Sequence, residues 1–116
     1  MIIEYWTTTG FKRRIVKNQF WNEYVLWNRL HSPDENTPAI IHPLNGIKFY
    51  YKNGKKHRLT GPALLWERYS NEEFWLDGKY YKTIKEWINN HPNPDLYFNT
   101  IGIFTETDKV IWYLKN

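Results

Sequence analysis

Tyr50-Tyr51-Lys52-Asn53-Gly54-Lys55-Lys56-His57-Arg58-Leu59-Thr60-Gly61-Pro62-Ala63-Leu64-Leu65 is the stretch whose reading decides the fold. Asn-Gly between apolar runs is the strongest short-range hairpin signal, because a type I′ turn needs φ > 0 at both central residues and Asn and Gly tolerate it. Phe74-Trp75-Leu76-Asp77-Gly78-Lys79 repeats the pattern of two aromatics, any residue, Asn or Asp, Gly and Lys, with Gly78 placed 24 positions after Gly54. Asn45-Gly46 supplies a third such turn. The block from His57 to Leu65 also has a counterpart, His31 to Ile41, which runs through a longer loop to Pro38-Ala39 and two isoleucines but lacks the glycine that precedes Pro62. Upstream, Tyr24 to His31 is a worn copy of Tyr50 to His57, with Asn28 where Gly54 would stand. The unit is thus strand, tight turn, short strand ending in His, loop and Pro-Ala strand, returning about every 24–26 residues, a period typical of hairpin arrays. Asn45, Gly46, Asn53, Gly54, Asp77 and Gly78 are its expected turn residues, and His31, His57, Pro38 and Pro62 its structural loop residues.

Working outward, Ile2 to Thr8 reads as a strand that Thr9-Gly10 turns into Phe11 to Val16, and Lys17-Asn18 leads on to Gln19 to Leu26. Thr83-Ile84-Lys85-Glu86 is a capping box. Ile84, Trp87 and Ile88 then share one helical face, and Asn89-Asn90-His91-Pro92 closes the segment, which predicts one helix over residues 83–90. Residues 97–115 read as a terminal hairpin around Glu106-Thr107-Asp108, because aromatic and β-branched residues dominate both halves. The expected fold is mostly β: a single-domain antiparallel meander of about eight to ten short strands with one short α-helix. Its expected core is Phe49, Tyr51, Leu64, Trp66, Trp75, Ile84, Trp87, Ile103 and Trp112.

Composition bounds the function. Aromatics make up 19% of the chain, enough apolar content to exclude disorder. Cysteine is absent, so disulfides and Cys-based zinc or redox chemistry are excluded, and a cytoplasmic setting is expected. No apolar run approaches the roughly 18–20 residues that cross a bilayer. The net charge of +4 is compatible with nucleic acid or an acidic protein, yet equally with a solubilising surface.

The string from Tyr50 to Leu65 resembles a repeat of phage and giant-virus proteins, whose units read roughly W-Y-x-N-G-K-x-H-R-x-D-G-P-A and are MORN-like in style. The resemblance covers residues 24–81 and is concentrated at 50–65, and Thr60 stands where that pattern prefers Asp. It implies a scaffold of viral origin, placed in the host cytoplasm, whose partner is a host protein.

No nucleophile elbow, P-loop or dinucleotide fingerprint is present, and His42 and His91 show no metal-ligand spacing, so no enzyme, metal or cofactor is expected. His31 and His57 occupy equivalent positions and are expected to hydrogen-bond loop groups. Two basic groups stand out: Lys12-Arg13-Arg14-Lys17, and Lys48, Lys52, Lys55, Lys56 and Arg58 with Tyr50 and Tyr51 between them. Strand alternation puts Lys48, Tyr50 and Lys52 on the outer face, the expected binding surface. The leading expectation is a non-enzymatic binding module for a protein partner. Nucleic-acid or anionic-ligand binding through the same Lys48–Arg58 face is the alternative, and a small hydrolase a minor one. Exposed aromatics and unpaired strand edges would also favour a homo-oligomer.

Overall fold

A computed structural model describes the backbone of residues 2–6, 12–16, 21–26, 29–41 and 46–116, and the side chains of residues 30–41 and 46–116. The Thr9-Gly10 and Lys17-Asn18 turns, Asn28, His42 and Asn45 lie outside the described residues. Eleven strands are described, one more than the upper expectation: β1 (Ile2–Trp6), β2 (Lys12–Val16), β3 (Trp21–Leu26), β4 (Arg29–Leu30), β5 (Ile40–Ile41), β6 (Lys48–Phe49), β7 (Tyr51–Lys52), β8 (Lys55–Lys56), β9 (Leu64–Trp66), β10 (Asn71–Leu76) and β11 (Lys79–Tyr81). Nine form one antiparallel sheet in the order β1-β2-β3-β5-β6-β9-β10-β11, with β4 also on β3, while β7 and β8 pair apart as a hairpin. Register places Arg14 opposite both Glu4 and Glu23.

The tight turns have the backbone that their residues favour. Asn53 and Gly54 have φ of +51° and +80°, and Asp77 and Gly78 of +46° and +81°, the two left-handed residues of a type I′ turn. Between β6 and β7 the alternation breaks at Tyr50. Its N–H donates to the Ala63 carbonyl at 2.7 Å and its carbonyl accepts from the His57 N–H at 3.1 Å. Because β6 and β7 belong to different sheets, the period-two count restarts here, and Tyr50 turns inward to 4% exposure. The expected outer row of Lys48, Tyr50 and Lys52 is therefore wrong at Tyr50, and Tyr51, expected inside, is only half-buried.

Three helices follow the sheet: α1 (Ile84–Asn89), α2 (Asp95–Thr100) and α3 (Glu106–Lys115). Thr83 caps α1, its hydroxyl accepting from the Glu86 N–H at 3.2 Å, as the sequence predicts. The terminal hairpin expected over residues 97–115 is replaced by α2 and α3. Glu106-Thr107-Asp108 forms the first turn of α3, where the Thr105 hydroxyl accepts from the Asp108 N–H at 3.1 Å. Helix α2 ends in a Schellman motif: Ile103 N–H donates to Phe98 C=O, Gly102 N–H to Asn99 C=O, and Gly102 takes φ +78°. These local caps, with the packing of Phe98 on Trp112 at 5.1 Å, outweigh the β propensity of Val110 to Tyr113.

Among the described side chains, the buried cluster lies where the sheet meets these helices. Leu76, Trp87, Ile88, Phe98 and Trp112 are buried together, with Leu59, Phe74, Tyr81, Ile84, Tyr97 and Ile103 packed around them. Of the expected core, Trp87 and Trp112 are buried and Ile84 and Ile103 line the cluster. Phe49, Leu64, Trp66 and Trp75 are only half-buried. No helix among the described residues is long and apolar enough to cross a membrane.

Candidate functional site

The site is built by one hairpin tip docking on the hairpin before it. In an isolated type I′ hairpin the two central N–H groups point to solvent; here both are taken up. Asn53 N–H donates to His31 Nδ1 at 3.1 Å, and Gly54 N–H to the Leu30 carbonyl at 2.8 Å. The next tip makes the equivalent bonds: Asp77 N–H to His57 Nδ1 at 2.9 Å, and Gly78 N–H to the Lys56 carbonyl at 2.8 Å. The backbone matches too. Ser32 N–H meets Tyr51 C=O and Arg58 N–H meets Trp75 C=O, while Ala39 N–H meets Phe49 C=O and Ala63 N–H meets Glu73 C=O. Ala39 and Ala63 are fully buried, which explains a small residue after each Pro.

Each histidine thus accepts a backbone N–H, which fixes the ring proton on Nε2. Burial holds both His31 and His57 below the ordinary imidazole pKa, since a charged ring would be desolvated. His91 makes a similar hydrogen bond, its Nδ1 accepting from Asn93 N–H at 2.9 Å while Nε2 donates to the Leu59 carbonyl at 2.7 Å.

Arg58 is an internal clamp. Its Nε donates to Glu35 C=O at 2.8 Å, its Nη1 to Pro62 C=O at 3.2 Å, and the guanidinium stacks 3.8 Å from the Tyr50 ring centroid. Gly61 is the residue that leaves room for it, because a Cβ there would sit 3.3 Å from Nη1. From the other side, Glu35 Oε1 accepts from Leu59 N–H at 2.8 Å. The longer 31–38 loop is shaped by Asp34, whose carboxylate accepts from Asn36 N–H at 2.8 Å and Thr37 Oγ1 at 3.1 Å.

Between this loop and the β7–β8 hairpin lies an open cleft of about 210 Å³, lined by His31, Ser32, Asp34, Glu35, Tyr51, Lys52, His57 and Leu59. Of the basic face expected to bind ligand, only Lys52 borders it. Lys48 pairs with Glu67 at 3.7 Å and Lys56 lies over the Trp75 ring at 4.6 Å. Lys55 is exposed and runs past Gly78, and Arg58 is held inside. The expected surface is therefore dispersed. Ser32, Glu35 and Leu59 were not legible as site residues, because their contacts join segments 19 and 24 positions apart; the extra length of the 31–38 loop was the available signal. Among the described residues no group of three or more His, Cys, Asp or Glu is placed to hold a metal ion.

Comparison with known proteins gave no match to any family model, curated protein or solved structure.

Proposed function

We propose that the chain is a tandem hairpin-repeat scaffold that works as a non-enzymatic binding module, receiving a protein partner at the cleft between its 31–38 loop and the β7–β8 hairpin. The observation that carries this reading is that the polar residues shared between the units, His31, His57 and the turn Asn53 and Asp77, are consumed in unit-to-unit hydrogen bonds. The Asp34-containing loop and Lys52, which the units do not share, line the cleft together with the two histidines. At about 210 Å³ the cleft is smaller than the roughly 300–1,000 Å³ of small-molecule pockets. It suits one or two side chains of a protein, with Lys52 set beside the carboxylates of Asp34 and Glu35. The resemblance to phage and giant-virus repeats supports a viral accessory role, in which docking blocks or redirects a host factor.

The test is affinity capture from host lysate, with and without nuclease, by the wild-type chain and by the Lys52→Glu variant. Lys52 is exposed, so the variant should fold with a similar melting temperature. The reading requires a nuclease-resistant protein partner that the variant loses. Equal capture by the variant would reject the cleft. Capture abolished by nuclease, with affinity falling steeply in salt, would favour nucleic acid instead.

A further inference from the structure

Helix α3 has two apolar faces, and only one is used. Trp112, 8% exposed, packs on Phe98 and Tyr97, while Lys109 beside it reaches Asp95 at 2.7 Å and Glu106 at 3.1 Å. Thr107, Val110, Ile111 and Leu114 fall on the opposite face at i, i+3, i+4 and i+7. Val110, Ile111 and Leu114 are 57%, 43% and 82% exposed. A helix packed on one side normally turns polar residues to water on the other, so this stripe calls for a partner.

The charges beside the stripe identify the partner. Asp108 and Lys115 are one heptad apart and therefore lie on the same flank of the stripe. Neither forms an ion pair among the described residues. If two copies of α3 pack stripe to stripe in antiparallel fashion about a two-fold axis, each flank meets its own counterpart with the direction reversed. Asp108 of one copy then faces Lys115 of the other, twice, and the helix dipoles oppose. A parallel arrangement would instead set this flank against the opposite one, which carries Glu106 and Tyr113, so Asp108 and Lys115 would not meet. We infer that α3 is a self-association surface, on which a second copy of this chain docks through an antiparallel α3–α3 contact centred on Val110, Ile111 and Leu114. This contact uses none of the cleft residues, so its test is independent of the cleft reading.

The experiment is sedimentation equilibrium of the full chain over a concentration series. The mass should rise with concentration from 14.2 kDa towards twice that value, and Leu114→Glu should hold it at the monomer mass. Asp108→Lys alone and Lys115→Asp alone should each weaken association several-fold. The double swap on one chain should recover it, since it rebuilds the same two pairs with their signs exchanged. Both single swaps oppose the α3 dipole, so recovery in the double variant cannot come from a better helix. A monomer mass at every concentration, a dimer that survives Leu114→Glu, or a double swap as weak as the singles would each overturn the inference. Melting curves at a dilute concentration check that the variants fold.

Discussion

His57 shows how much a single side chain carries here. Its Nδ1 accepts the Asp77 N–H, and its ring is nearly enclosed. Substituting Ala leaves that N–H without its partner, which should cost about 1–3 kcal/mol in a melting experiment. Asn places an oxygen near the Nδ1 position, so His57→Asn should recover part of the loss. The same bond predicts a pH dependence. Burial lowers the folded pKa of His57 and His31 below the unfolded value of about 6.5, so the fold favours the neutral rings. Their contribution is complete above about pH 6.5 and is lost as pH falls through the lowered folded values. Melting temperatures between pH 7.5 and 5 should therefore drop more for wild type than for His57→Asn. The turn beside it is as sensitive. Gly54→Val forces φ of +80° on a β-branched residue and should destabilise by more than about 1 kcal/mol. An unchanged melting temperature would refute the turn assignment.

Among the elements, the helices were the least legible in the sequence. Helix α1 announced itself through Thr83 and Glu86, but α2 and α3 are rich in Tyr, Phe, Val, Ile and Trp, which read as strand. The decisive signals were short: Gly102 followed by Ile103, and Thr105 three residues before Asp108. Thr105→Ala should remove the α3 cap and cost about 1 kcal/mol by thermal melt. The hairpins were legible because Asn-Gly and Asp-Gly act locally. The site was legible only in part, since His31, His57 and Lys52 stand out by type whereas Glu35 matters through a bond to Leu59, 24 positions away. Arg58 looked like a ligand contact and is a clamp on Glu35, Pro62 and Tyr50, a role no local pattern encodes.

As a whole the molecule is long, 52 × 29 × 23 Å, with a radius of gyration of 15.7 Å against about 13 Å for a compact chain of this size. That shape follows from hairpins laid side by side and closed by helices at one end. Among the described side chains the buried core is concentrated at the helical end, where Trp87 is fully buried and donates to the Trp75 carbonyl at 3.4 Å. Trp87→Ala should cost about 3–5 kcal/mol, a large part of the stability of a domain this small, and is readily read by denaturant titration. The central claim is that the Asn53-Gly54 and Asp77-Gly78 tips are each bonded to the hairpin before them. Amide hydrogen exchange tests it most directly. The account predicts slow exchange at Asn53, Gly54, Asp77 and Gly78, with His57→Ala releasing Asp77 far more than Asn53; exchange of all four at the rate of free hairpin tips would contradict it.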